Sequence, residues 1–251
     1  MRFEPFLLLQ LLSGYALASI CFLFGIPLGA WQLWVSLAVA SSAAAFCSRR
    51  ALAWTLALNL MAFVLTLYTF TYVHIDASIC HLPMTHFMQD GWNPVWEPTQ
   101  EAVEACFAAR GVPNVAKSTI LHVIAGPKFS QILAAQLQSA SGLLSAGGYP
   151  VWIMMFALAL ASYRFSLLIW KTSRPVGVVF AVFVCSNFII IGNSFIGLVD
   201  YVTYASLALA ALSLGMWMVT RDKSDIVLLF MGSVIALSSK FTSIICIALL
   251  L

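Results

Sequence analysis

Apolar runs long enough to cross a bilayer dominate this chain, and the polar positions between them are few and clustered. A crossing helix needs about 20 mostly apolar residues. Runs of that kind lie near 5–27, 29–48, 51–73, 149–170, 175–196, 198–219 and 226–251. The first two are parted only by Gly25-Ile26-Pro27-Leu28-Gly29, a turn-forming break. Gly192, Asn193, Gly197 and Asp200 interrupt the pattern between the fifth and sixth runs. The pattern predicts an all-α polytopic membrane protein. It has about seven transmembrane helices in a single domain over 1–251, with one long external loop, 74–147, containing surface helices.

Composition points the same way. Apolar residues make up 62% of the 251 residues and charged ones 8%, against about 45–50% and about 25% in a soluble domain. A water-soluble globule is excluded. Twelve Lys+Arg against nine Asp+Glu give a net charge of +3 without a basic stripe, which argues against a nucleic-acid partner. With the N-terminus inside, Arg2, Arg49, Arg50, Arg164, Lys171, Arg174, Arg221 and Lys223 all fall on the cytoplasmic side. Only Arg110, Lys117 and Lys128 fall outside, and Lys240 lies within the last run. That asymmetry is the positive-inside pattern and predicts a multi-pass inner-membrane protein with a periplasmic or external loop. Arg2 is accompanied by Glu4 and no small-x-small cleavage site follows, so the first run is expected to be a retained helix.

The loop is longer than a connection needs, and it holds all four histidines (His74, His81, His86, His122) and five of the nine acids (Asp76, Asp90, Glu97, Glu101, Glu104). Glu101 to Arg110 predicts a short helix, and Ser118 to Ser141 an amphipathic pair broken at Gly126-Pro127. After the break, Phe129, Ile132, Leu133, Leu137 and Leu144 recur at helical spacing, opposite Gln131, Gln136 and Gln138. This predicts a helix lying along the membrane surface. Cys21, Cys47, Cys185 and Cys246 sit in apolar runs. Cys80 and Cys106 share the loop and would close a 27-residue ring in an oxidising compartment, which would stabilise the loop by about 3–4 kcal/mol. Two unpaired thiols are the alternative.

Asp76 follows directly on the third run, at the membrane–water boundary, where poor hydration moves a carboxylate toward the working range of a general base. An ordinary helix-end residue is the plainer reading. The stretch from Asp76 through His81-Leu82-Pro83 to Gly91-Trp92-Asn93-Pro94 resembles the first external loop of GT-C membrane glycosyltransferases. Leu121-His122 through Gly126-Pro127-Lys128 resembles that family's surface-helix motif. Phe195 through Asp200-Tyr201 resembles its acidic position at the head of a later span. Two departures stand out: Cys80 occupies a place where the family commonly has Tyr, and family members generally continue well beyond seven spans.

The resemblance implies transfer of a sugar from a polyprenyl-phosphate donor to a glycan, lipid or protein acceptor on the external face. Asp76 would be the catalytic base, with Asp90 and Asp200 as second-line acids. His81, His122, Lys128 and Lys240 would handle the donor phosphate. Trp92 and Asn93 are candidates for stacking on and hydrogen-bonding a sugar, although Trp at an interface is expected on partition alone. The residues specify no cofactor with certainty. A divalent cation, magnesium or manganese, held by Asp76 or Asp90 would assist a phosphate leaving group, whereas His74, His81 and His86 lack the spacing of a strong metal site. Because the chain ends inside an apolar run, a shortened member or a non-catalytic subunit with a partner membrane protein stays open. A transporter fits less well, since the polar residues gather in one loop and no repeat is visible. G-x-S-x-G, P-loop and HExxH motifs are absent.

Overall fold

The computed structural model describes residues 2–68, 82–112, 114–125, 128–186, 199–240 and 242–250. All regular elements among them are helices. Three long ones open the chain: α1 (Glu4–Leu23), α2 (Ala30–Cys47) and α3 (Arg49–Tyr68). Four shorter ones follow: α4 (Leu82–Gln89), α5 (Gln100–Ala109), α6 (Lys117–Ala125) and α7 (Phe129–Ser141). A 3-10 turn at Leu144–Gly147 leads into α8 (Gly148–Ile169). The remainder are α9 (Arg174–Cys185), α10 (Val199–Thr220), α11 (Lys223–Ser239) and α12 (Ser243–Leu250).

Among the described residues, five helices are long and apolar enough to cross a membrane: Glu4–Leu23, Ala30–Cys47, Arg49–Leu67, Ser145–Ile169 and Tyr201–Thr220. Large apolar side chains point outward from the bundle, Phe46 at 93% exposure and Phe183 at 76% among them, as expected where the surrounding medium is lipid. Helix α8 is the hub, packing against α1, α3, α7, α9 and α10. Small residues on it permit this close approach, with Ala157 and Ala161 fully buried beside Ile153 and Leu158.

Two expectations are corrected. The run 226–251 is not one helix: α11 ends at Ser239, Lys240 has extended backbone (φ −156, ψ 127), and α12 begins at Ser243. Lys240 therefore marks a break between two helices rather than a position inside a continuous one. Helix α7 does not turn a polar face outward, as a helix lying along the membrane surface would. Every residue from Phe129 to Gln138 is buried, and the helix packs among α1, α2, α4, α8 and α11. Its glutamines are tolerated inside because they find partners there. Gln136 Nε2 donates to Gly14 O (2.9 Å), Ser130 Oγ donates to Gln131 Oε1 (3.2 Å), and Gln138 Nε2 meets His86 Nδ1 (3.1 Å). The run 175–196 begins as the twelve-residue α9, and residues 187–198 lie outside the described set.

At one end of the bundle the short turns carry the cations, and a buried ionic cluster ties four helices together. Arg164 of α8 donates to Glu4 Oε1 and to Asp225 Oδ1, both at 2.9 Å. Arg2 reaches Asp222 (2.7 Å) and Asp225 (3.2 Å), and Thr220 Oγ1 donates to Asp225 Oδ2 (2.9 Å). Glu4 is 1% and Asp225 0% exposed, so these carboxylates depend on their partners. The opposite end is closed by α4–α6, which form a cap.

Candidate functional site

The cap has its own core. Met84, Phe87 and Met88 of α4, Val103 and Phe107 of α5, and Ile120 and Val123 of α6 pack on Ala18 and Phe22 of α1 and Ile132 of α7. Phe87 and Phe107 meet edge to face at 4.8 Å. Helix α4 ends in a left-handed turn at Gly91 (φ 102), which lets Trp92 N donate back to Phe87 O (2.8 Å). Helix α5 is started by Thr99, whose side chain accepts from Ala102 N. The expected helix from Glu101 to Arg110 is thus present within one residue as α5.

Trp92 and Asn93 are built into this joint. Trp92 is 4% exposed and its Nε1 donates to Glu97 O (3.0 Å). Asn93 Nδ2 donates to Phe22 O (2.8 Å), while its Oδ1 accepts from Val95 N (2.9 Å) and Trp96 N (3.3 Å). Trp96 Nε1 donates to Leu23 O (3.2 Å). Two terminal carbonyls of α1 are thereby satisfied by side chains more than 70 residues away, which fastens the cap to the first helix.

Besides Lys240, between α11 and α12, the charged candidates with described side chains fall at three places. Asp90 and Arg110 form an ion pair on the outside of the cap, with Arg110 Nε at 3.1 Å from Asp90 Oδ2. His122 is exposed in the last turn of α6. Lys128, immediately before α7, lies over the Trp92 ring at 5.8 Å and donates to Ile124 O (2.9 Å). Burial lowers its amine to about 8. His86 is pulled below the ordinary histidine value by burial and then by Arg110. Burial, with Glu97 and Asp90 nearby, pushes the Cys106 thiol up. Asp76, His81, His74 and Cys80, and with Cys80 the bridge to Cys106, lie outside the described residues. Asp200 is in the first turn of α10, and its side chain is outside the described set. Among the described residues no three His, Cys, Asp or Glu side chains gather to hold a metal ion.

Sequence reasoning passed over a second polar feature, deeper in the bundle. Gln10 Nε2 donates to Tyr149 Oη (2.7 Å), and Tyr149 Oη donates to Asn59 Oδ1. This relay joins α1, α8 and α3. Asn59 and Tyr149 also line a cavity of about 480 Å³ whose other walls include Trp34, Leu60, Leu137 and Ser141. The signal in the sequence is an amide inside each of the first three apolar runs, Gln10, Gln32 and Asn59. No protein-family model, characterised protein or solved structure matches the chain.

Proposed function

We propose that the protein is a membrane glycosyltransferase taking a sugar from a polyprenyl-phosphate donor and delivering it to a glycan, lipid or protein acceptor at the cap end. One observation beyond the sequence resemblance supports this most. Helix α7 has Lys128 immediately before it and contributes Leu137 and Ser141 to the intramembrane cavity at its other end. Along the helix the nearer of these, Leu137, lies nine residues or about 13 Å from Lys128, and Ser141 about 20 Å. A cation at one end of a helix and a largely apolar cavity at the other suit an amphiphile that carries a phosphate on a long hydrocarbon chain.

In this reading Lys128 receives donor phosphate together with His81, His122 and Lys240, and stabilises negative charge on the departing phosphate. Asp76 is the base that takes the acceptor hydroxyl proton as oxygen attacks the anomeric carbon. Asp90 is engaged by Arg110, which favours Asp76 for the role and leaves Asp90 and Asp200 as second-line acids. Trp92 and Asn93 act through the cap joint, shaping the site rather than offering a free ring. The reading also completes seven crossings with the 175–196 run and the α11–α12 pair, and puts the basic end in the cytoplasm.

The test uses purified protein in nanodiscs with a panel of polyprenyl-phosphate sugars, comparing wild type with Asp76→Asn and Lys128→Met. Transfer abolished by the first and weakened in donor KM by the second is expected. Undiminished transfer by Asp76→Asn removes the assignment of the base. Absence of transfer by wild type with every donor favours a non-catalytic subunit.

A further inference from the structure

We propose that the basic end of the bundle is a docking surface for anionic phospholipid headgroups, built from three repeats of one tryptophan beside two cations. In the α2–α3 turn the cations are Arg49 and Arg50, with Trp54 one turn along α3. In the α8–α9 turn they are Lys171 and Arg174, next to Trp170. In the α10–α11 turn they are Arg221 and Lys223, with Trp217 one turn back on α10. All six cations are exposed, Trp54 and Trp170 are 53% and 56% exposed, and Trp217 is half-buried. Tryptophan at the edge of an apolar run settles at headgroup depth, with lysine and arginine reaching past it. Three such units on separate turns mark one plane.

Charge balance selects the partner. The acids of this end are Glu4, Asp222 and Asp225, and Arg2 and Arg164 engage all three. The six turn cations therefore face outward with their carboxylate neighbours already occupied, and anionic headgroups are the counter-charge available in that plane.

The backbone supplies a second line of support. Lys171 (φ 51) and Arg221 (φ 55) both adopt the left-handed conformation just past a helix end, where glycine is the unstrained choice. Arg221 N donates to Trp217 O (2.8 Å) and its guanidinium lies over the Trp217 ring at 4.7 Å. The chain carries a cation at two positions where the backbone alone favours glycine, which ties those positions to charge rather than to turn formation. A cation also complements the dipole of the helix it follows, and that contribution does not depend on lipid type.

The full chain, reconstituted in nanodiscs of equimolar phosphatidylglycerol and phosphatidylcholine and then extracted in mild detergent, is analysed for retained lipid by mass spectrometry. Enrichment of phosphatidylglycerol is expected and should collapse in about 1 M salt, where screening acts within about 3 Å. Lys171→Gly and Arg221→Gly, which the turns accept without strain, each lower the enrichment by about five-fold at low salt. Arg49→Gln with Arg50→Gln lowers it further, whereas Lys117→Gln in the cap leaves it unchanged. Unfolding midpoints of the glycine variants in pure phosphatidylcholine nanodiscs are expected to stay level or rise. No preference by wild type, equal enrichment in the combined variant, or a lower midpoint of the glycine variants in phosphatidylcholine overturns the proposal.

Discussion

Gln136 Nε2 donates a 2.9 Å hydrogen bond to the backbone oxygen of Gly14, pinning the last cap-side helix to the middle of the first long one across 122 residues of sequence. Gly14 is what lets the two approach. A Cβ there would stand 3.1 Å from Gln136 Oε1 and from Leu133 Cδ2, and 3.4 Å from the Ser36 Cβ. Helices α1, α2 and α7 therefore converge on one residue without a side chain, and the seating of α7 depends on it.

Gly14→Val should consequently lower stability by about 1–3 kcal/mol through overpacking, with Gly14→Ala milder because its single methyl needs only a small shift. Thermal unfolding in detergent reads the effect. A midpoint unaffected by valine would mean that α7 does not pack at this depth.

Arg164 bridges two buried carboxylates, so Arg164→Met should cost about 3–5 kcal/mol by leaving Glu4 and Asp225 with too little positive charge. Arg164→Lys should recover only part of it, since one ammonium cannot reproduce a fork that reaches both acids. Adding Glu4→Gln and Asp225→Asn to Arg164→Met should restore much of the loss. Unfolding in mixed micelles across this set gives the coupling.

Lys128 provides a pH signature. Burial holds its amine near 8, below the ordinary lysine value of about 10.4, so the folded state releases this proton first. Between those values the unfolded chain binds more protons, and stability rises with pH. Lys128→Met should flatten that rise and be the more stable protein at pH 7. Midpoints measured from pH 7 to 10.5 for both proteins decide it.

His86 acts at the acid side. Its folded value lies below the ordinary histidine value of about 6.5, so the stability it contributes is present above pH 6.5 and is lost as pH falls through the folded value. Protonation also places a positive Nδ1–H against the Gln138 amide nitrogen, loosening α4 from α7. Faster proteolysis of the cap at pH 5 than at pH 7 is expected in wild type, and His86→Phe should remove the difference.

Asn93→Ala should uncouple the cap from α1. It removes the donor to Phe22 O and the acceptor for two backbone amides, for about 1–2 kcal/mol by analogy with helix caps. Hydrogen exchange at residues 94–100 should accelerate while α8 and α10 stay protected.

Much of this architecture is a local property of the chain. Partition of an apolar segment into lipid depends on that segment's own side chains, so residues 4–68 read directly as three long helices, and the turns read as cationic. Helix α5 was equally legible, because Thr99 and Glu101 signal a start and Gly111 a stop. The location of α7 was not. Periodicity set Gln131, Gln136 and Gln138 opposite the apolar stripe, and whether an amide faces water or the interior depends on a partner supplied from elsewhere. For Gln136 and Gln138 those partners are Gly14 on α1 and His86 on α4. The same applies to Asn93, read as a sugar contact and used as a helix cap, and to Lys240, which extended backbone places between two helices. It applies also to Arg2 and Arg164, counted as markers of sidedness and found neutralised by acids up to 223 residues away in Arg2 and 160 in Arg164. The sequence by itself determined the solvent this protein lives in and the plane of its charges. Only the tertiary structure decided which polar groups are satisfied inside, because hydropathy sums over neighbours in the chain whereas a hydrogen bond or ion pair needs a second group brought close in space.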